Sequence, residues 1–85
     1  MRHKYMAKGT CAVEISFDIN DGDKVSNIAF VGGCDGNHKG IVSLAEGMKV
    51  DDVIDRLSGI TCGRRSTSCP DQLAKALEEY REGRI

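Results

Sequence analysis

Residues 11–19 alternate without a break, with Cys11, Val13, Ile15, Phe17 and Ile19 on one side and Ala12, Glu14, Ser16 and Asp18 on the other. That is the period of a β-strand with one buried face. Asn20-Asp21-Gly22-Asp23 supplies residues that tolerate left-handed backbone and close a hairpin, and residues 25–31 return as a second strand that ends at Gly32-Gly33. Beyond that turn the period changes to 3.6. Ile41, Leu44, Ala45 and Met48 form one helical stripe with Gly47 near its end, and Val50, Val53, Ile54 and Leu57 form another, with Asp51 and Asp52 in its first turn and Gly59 past its end. Pro70 suits the first turn of a last helix, where its missing N–H has no partner to lose, and Leu73, Ala76, Leu77 and Tyr80 mark the buried side of that helix.

The expected fold is therefore a single α+β domain over residues 1–85, a small antiparallel sheet covered on one face by three helices. Residues 59–63 read either as a third short strand or as a tight connection. The ordered core is expected over about residues 9–80, with residues 1–8 and 81–85 frayed. A chain of 85 residues buries only about 60% of its unfolded surface. That small core, with the open face expected of a two-stranded sheet, points to a homodimer.

Net charge is −1, and the one short basic spot, Arg64-Arg65, has no neighbouring aromatics on which bases could stack, so nucleic acid is not an expected partner. No apolar run approaches the roughly 20 residues of a membrane helix, and the first residues lead into no signal-peptide apolar segment. The expected location is the cytoplasm. In that reducing compartment the 4 cysteines speak for metal binding, catalysis or packing rather than disulfides.

Three of the cysteines stand in turns marked by glycine or proline: Cys34 in Gly32-Gly33-Cys34-Asp35-Gly36-Asn37, Cys62 before Gly63, and Cys69 before Pro70. Cys11 lies in the strand pattern. With 27 residues between Cys34 and Cys62 and 6 between Cys62 and Cys69, these thiols meet only through folding, unlike the paired Cys-x-x-Cys knuckles of zinc ribbons. Gathered together, Cys34, Cys62 and Cys69 would hold zinc or an iron–sulfur unit, with Cys11 as fourth ligand and Asp35 or His38 in reserve. Packing as small hydrophobes is the alternative, and for Cys11 the preferred one. At the N-terminus of the last helix, Cys69 would have its thiolate favoured by the helix dipole. No dedicated base is evident, since His3 lies in the terminal segment and His38 is the other imidazole, so Cys–His nucleophilic catalysis is not expected.

A reading without metal also fits the glycine-rich segment. Gly33, Gly36 and Asn37 in a loop leading into a helix, with Arg64 and Arg65, would cradle the phosphate of a nucleotide or flavin, although no dinucleotide or P-loop pattern is present. A third reading is a protein–protein interaction module with structural cysteines.

The segments Gly9-Thr10-Cys11, Phe30-Val31-Gly32-Gly33-Cys34-Asp35-Gly36-Asn37, Leu57-Ser58-Gly59-Ile60-Thr61-Cys62-Gly63 and Thr67-Ser68-Cys69-Pro70-Asp71-Gln72-Leu73-Ala74 together resemble the TSCPD domain. The last of them spells the family's name, and all four cysteines fall inside matching segments. The chain is similar to the stand-alone bacterial form. Related domains end adenosylcobalamin-dependent ribonucleotide reductases, which implies an accessory role beside ribonucleotide reductase, not a reductase activity in so short a chain. In the order of its elements the chain is also similar to U-type iron–sulfur cluster scaffold proteins, with Cys34, Cys62 and Cys69 in the three ligand places. It departs from them in being much shorter and in bringing Cys62 and Cys69 closer in sequence.

Overall fold

The computed structural model describes residues 2–9, 13–32, 35–61, 63 and 67–85, and of residues 35–37 the backbone alone. In chain order the elements are β1 (Arg2–Met6), β2 (Glu14–Asn20), β3 (Lys24–Val31), α1 (Asp35–Ala45), α2 (Val50–Leu57) and α3 (Cys69–Arg81). The strands form one antiparallel sheet in the order β1-β2-β3. This is the α+β fold expected from the change of period.

The hairpin turns where the sequence places it, with Asp23 at φ 62° and its N–H donating to the Asn20 carbonyl at 3.1 Å. Farther along, a register shift opposite Ser16 and Asp18 is accommodated by Asn27 at φ 50°, a left-handed value that asparagine tolerates well. The extra residue turns Ile28 back into the core, where it is 7% exposed.

The third strand is not at residues 59–63 but at the start of the chain, in the segment expected to fray. Arg2 pairs with Asp18 and Met6 with Glu14 across the ladder, while the His3 ring stacks 5.6 Å from Phe17 and meets Tyr80 edge-on at 4.8 Å. On the sheet's other face Arg2 donates to Ser16 Oγ at 2.9 Å. All these partners lie far along the sequence, so a local pattern carries no trace of them. Among the described residues of 59–63 there is no strand.

The link between α1 and α2 covers the outer edge of β3. Gly47 N–H donates to the Val25 carbonyl at 2.8 Å, Val25 N–H to Met48 at 3.0 Å, and Val50 N–H to Asp23 at 2.9 Å, while Ile28 N–H reaches the Glu46 carboxylate at 2.9 Å. An edge covered in this way does not template pairing with another chain. Ile15, Phe17, Val25, Val50, Val53, Leu73 and Leu77 are fully buried between sheet and helices.

Two helical expectations need correction. α1 begins at Asp35, six residues before the apolar stripe, so Asp35, Gly36, Asn37 and His38 stand in its first turns and not in a loop before it. Leu44, read as part of the buried stripe, is 79% exposed. The cause is the packing scheme: α1 leans on β3 and α2 on α3. Between them stays an apolar groove of about 200 Å³ walled by Ile41, Leu44 and Met48 on one side and Val53, Arg56 and Leu57 on the other. No described helix is long and apolar enough to cross a membrane.

Candidate functional site at the first turn of α3

Helix α3 opens on Thr67-Ser68-Cys69-Pro70-Asp71-Gln72, and nearly every side chain there fastens a different part of the chain. Ser68, in extended conformation, is the N-cap: its Oγ accepts from Asp71 N–H at 3.2 Å and donates to the Ile60 carbonyl at 2.6 Å. Pro70 occupies the first turn, where no N–H is required. The Asp71 carboxylate, 2% exposed, accepts from Gly59 N–H at 2.7 Å and from the Thr67 hydroxyl, with Lys75 Nζ 3.8 Å away. Burial pushes this carboxyl up, but the bonds from Thr67 and Gly59 and the charge of Lys75 outweigh it, and its pKa lies below the usual carboxylate value. Gln72 donates to Thr67 Oγ1 at 3.0 Å and accepts from Lys8 N–H at 3.0 Å. Beside them Gly9, at φ 74°, passes so close that a Cβ would sit 3.0 Å from the Thr67 methyl.

Cys69 in this turn meets a side chain of another helix. It is 5% exposed, and its Sγ lies 3.1 Å from Nε2 of His38, itself 6% exposed. The tautomer of the ring decides which of the two donates. His38 comes from α1, and its ring lies flat on Phe30 of β3, centroids 4.3 Å apart and 17° from parallel. The sequence offered no base for a cysteine, yet folding brings together an imidazole and a thiol 31 residues apart. In a tetrahedral zinc site with Zn–S of about 2.3 Å and Zn–N of about 2.0–2.1 Å, sulfur and nitrogen stand roughly 3.6 Å apart. The pair would open by about 0.5 Å to hold one ion, a shift within reach of side-chain torsions.

Of the expected ligands, Cys69 and His38 meet. Cys11, Cys34 and Cys62 lie outside the described residues, as do Gly33, Arg64 and Arg65 of the phosphate-cradle reading. Asp35, Gly36 and Asn37 belong to the helical first turns of α1. Among the described residues no group of three His, Cys, Asp or Glu side chains is placed to hold a metal ion.

Sequence reading missed Thr67, Asp71 and Gln72 as the frame of the site, and Phe30 as the support of His38. One signal was available: Ser68-x-x-Asp71 has the spacing of a helix capping box. The structure uses it differently, sending the Asp71 side chain to Gly59 and Thr67.

Some described neighbours of the three other cysteines reach this turn. Lys8 and Gly9, just before Cys11 in sequence, touch Gln72 and Thr67. Gly59 and Ile60, just before Cys62, bond to Asp71 and Ser68. His38, four residues after Cys34, meets Cys69. No curated protein and no solved structure matches the chain. A family does: the TSCPD domain matches over residues 1–81 of the 85. With its Thr67–Asp71 stretch now seen as the frame and sulfur of one buried turn, the chain belongs to the TSCPD domain family.

Proposed function

We propose that this protein is a metal-binding accessory domain whose site centres on the first turn of α3. Cys69 and His38 are two of its ligands, and Cys34 and Cys62 complete a tetrahedral set. His38 takes the place that sequence reading gave to Cys11, leaving Cys11 and Asp35 in reserve. The observation that carries this reading is the buried contact between His38 Nε2 and Cys69 Sγ at 3.1 Å. A mixed nitrogen and sulfur set suits zinc, and an iron–sulfur unit is the second occupant to test. Metal would add binding free energy to a small core. The role is accessory in this reading, and ribonucleotide reductase is the first partner to try because related domains end such enzymes.

The test is to isolate the chain without oxygen and measure zinc, iron and sulfide per chain. About one zinc per chain is expected, lost on Cys69→Ser and weakened on His38→Ala. Replacement of zinc by cobalt should give the strong ligand-to-metal absorption of thiolate coordination in the wild type, and Cys69→Ser should lose it. A chain that folds fully without metal and takes up neither zinc nor iron would overturn the reading.

A further inference from the structure

The His38 ring is held on its face as well as met at its edge. Phe30, which stands opposite Ile15 in the sheet, lies against that ring with centroids 4.3 Å apart and planes 17° from parallel. At the edge, Nε2 stands 3.1 Å from Cys69 Sγ. Three elements therefore meet at one imidazole: β3 sets the plane of the ring, α1 carries it, and α3 brings the sulfur. A ring stacked in this way does not turn about its bond to Cβ without driving an edge into Phe30, and the lone pair of an imidazole nitrogen points along the plane of the ring.

We propose that Phe30 is a positioning residue for metal at this site: it fixes the plane of the His38 imidazole so that Nε2 is aimed at the ion, and its π face steadies the positive charge that the imidazole takes on when it ligates. The inference rests on the metal-binding reading and adds a residue to it that touches no metal. Partners that orient an imidazole ligand are worth about 10–100-fold in metal affinity. The negative face of an aromatic ring attracts positive charge, so the stack is stronger with metal bound than without. Plain packing is the competing account, because Phe30 also leans on the hydrophobic core. A packing contact is equally strong in the metal-free and the metal-bound chain, and a contact that does not discriminate between two states shifts no equilibrium between them. Leucine in place of Phe30 keeps the apolar bulk but has neither the flat face nor the π charge distribution, so it separates the two accounts.

The test compares the full chain with Phe30→Leu and Phe30→Tyr. Zinc affinity is read by competition with a chromophoric chelator, and the stability of the metal-free chain by urea titration. Phe30→Leu should bind zinc about tenfold more weakly, by more than its change in metal-free stability accounts for, while Phe30→Tyr, which keeps the ring, should stay within about threefold of the wild type. In the metal-free chain the ring-current shift of the His38 ring protons should be present in the wild type and Phe30→Tyr and lost in Phe30→Leu. Should Phe30→Leu fail to fold, Phe30→Met, a flexible side chain of similar bulk, carries the same expectation. A wild type that takes up no zinc overturns the metal-binding reading and this proposal with it. A wild type that binds zinc no more tightly than Phe30→Leu, or a Phe30→Tyr as weak as Phe30→Leu, overturns the role of Phe30 alone.

Discussion

Replacing Asp71 by asparagine keeps the shape of the side chain and removes its charge, in a place where the charge is what the surroundings are built for. The carboxylate receives Gly59 N–H at 2.7 Å and the Thr67 hydroxyl while 2% exposed. Asparagine offers one oxygen, so one of these donors is left facing an NH₂ group. Losing one hydrogen bond to a charged acceptor costs about 1.5–3 kcal/mol. The contact with Lys75, whose side chain is 46% exposed, adds no more than about 0.5 kcal/mol after solvent screening. In a domain of this size each kcal/mol moves Tm by about 4–8 °C, so Asp71→Asn should melt roughly 6–24 °C below the wild type at neutral pH, read by circular dichroism. The difference must also depend on pH. Because the folded pKa lies below the unfolded one, the stabilisation is fully present above the unfolded value of ~3.9 and is lost as pH falls through the folded value. Wild type and variant should therefore converge on the acid limb. Equal melting temperatures at neutral pH, or a gap that persists undiminished in acid, would refute the assignment of Asp71 as the charged clamp.

Ser68→Ala removes both the cap of α3 and the tie to Ile60, and urea titration should show a loss of about 1–2 kcal/mol. Gly9→Ala and Gly59→Ala form a matched pair: both glycines have positive φ, but a Cβ at residue 9 meets Thr67 at 3.0 Å while one at residue 59 meets nothing within 4 Å. Gly9→Ala should be the more destabilising in the same titration, since it adds a contact to the roughly 1 kcal/mol of backbone strain that the two share. Arg81 bridges Asp23 and Asp51 across the surface; with its side chain 40% exposed, Arg81→Met should cost less than about 1 kcal/mol at low salt and nearly nothing near 1 M salt, where the Debye length is only about 3 Å.

Where an element declares itself through its own neighbours in sequence, it could be read in advance. The hairpin follows from alternation and a turn of Asn, Asp and Gly, and α2 and α3 follow from stripes whose residues Val50, Val53, Leu73 and Leu77 are buried. β1 could not be read, because Arg2-His3-Lys4 is polar and becomes a strand only through Phe17, Asp18 and Tyr80. Leu44 fits its stripe, but whether a stripe residue is covered depends on which helix packs against it, and α2 turned to α3 instead. At the candidate site Cys69 was legible as a helix-start cysteine, whereas its meeting with His38 is a product of tertiary structure. The readings of Cys11, Cys34 and Cys62 rest on sequence.

The division of labour within Thr67–Asp71 has a consequence for how relatives of this chain should be sorted. Four of the five letters are carpentry and the fifth supplies the sulfur beside His38. A descendant that kept the threonine, serine, proline and aspartate but exchanged the cysteine for alanine would still be joined at the same corners and would pass as a sibling in any comparison of shape. On the proposed metal site, whether residue 69 carries sulfur and residue 38 an imidazole would separate metal-binding members from those that keep the joinery alone.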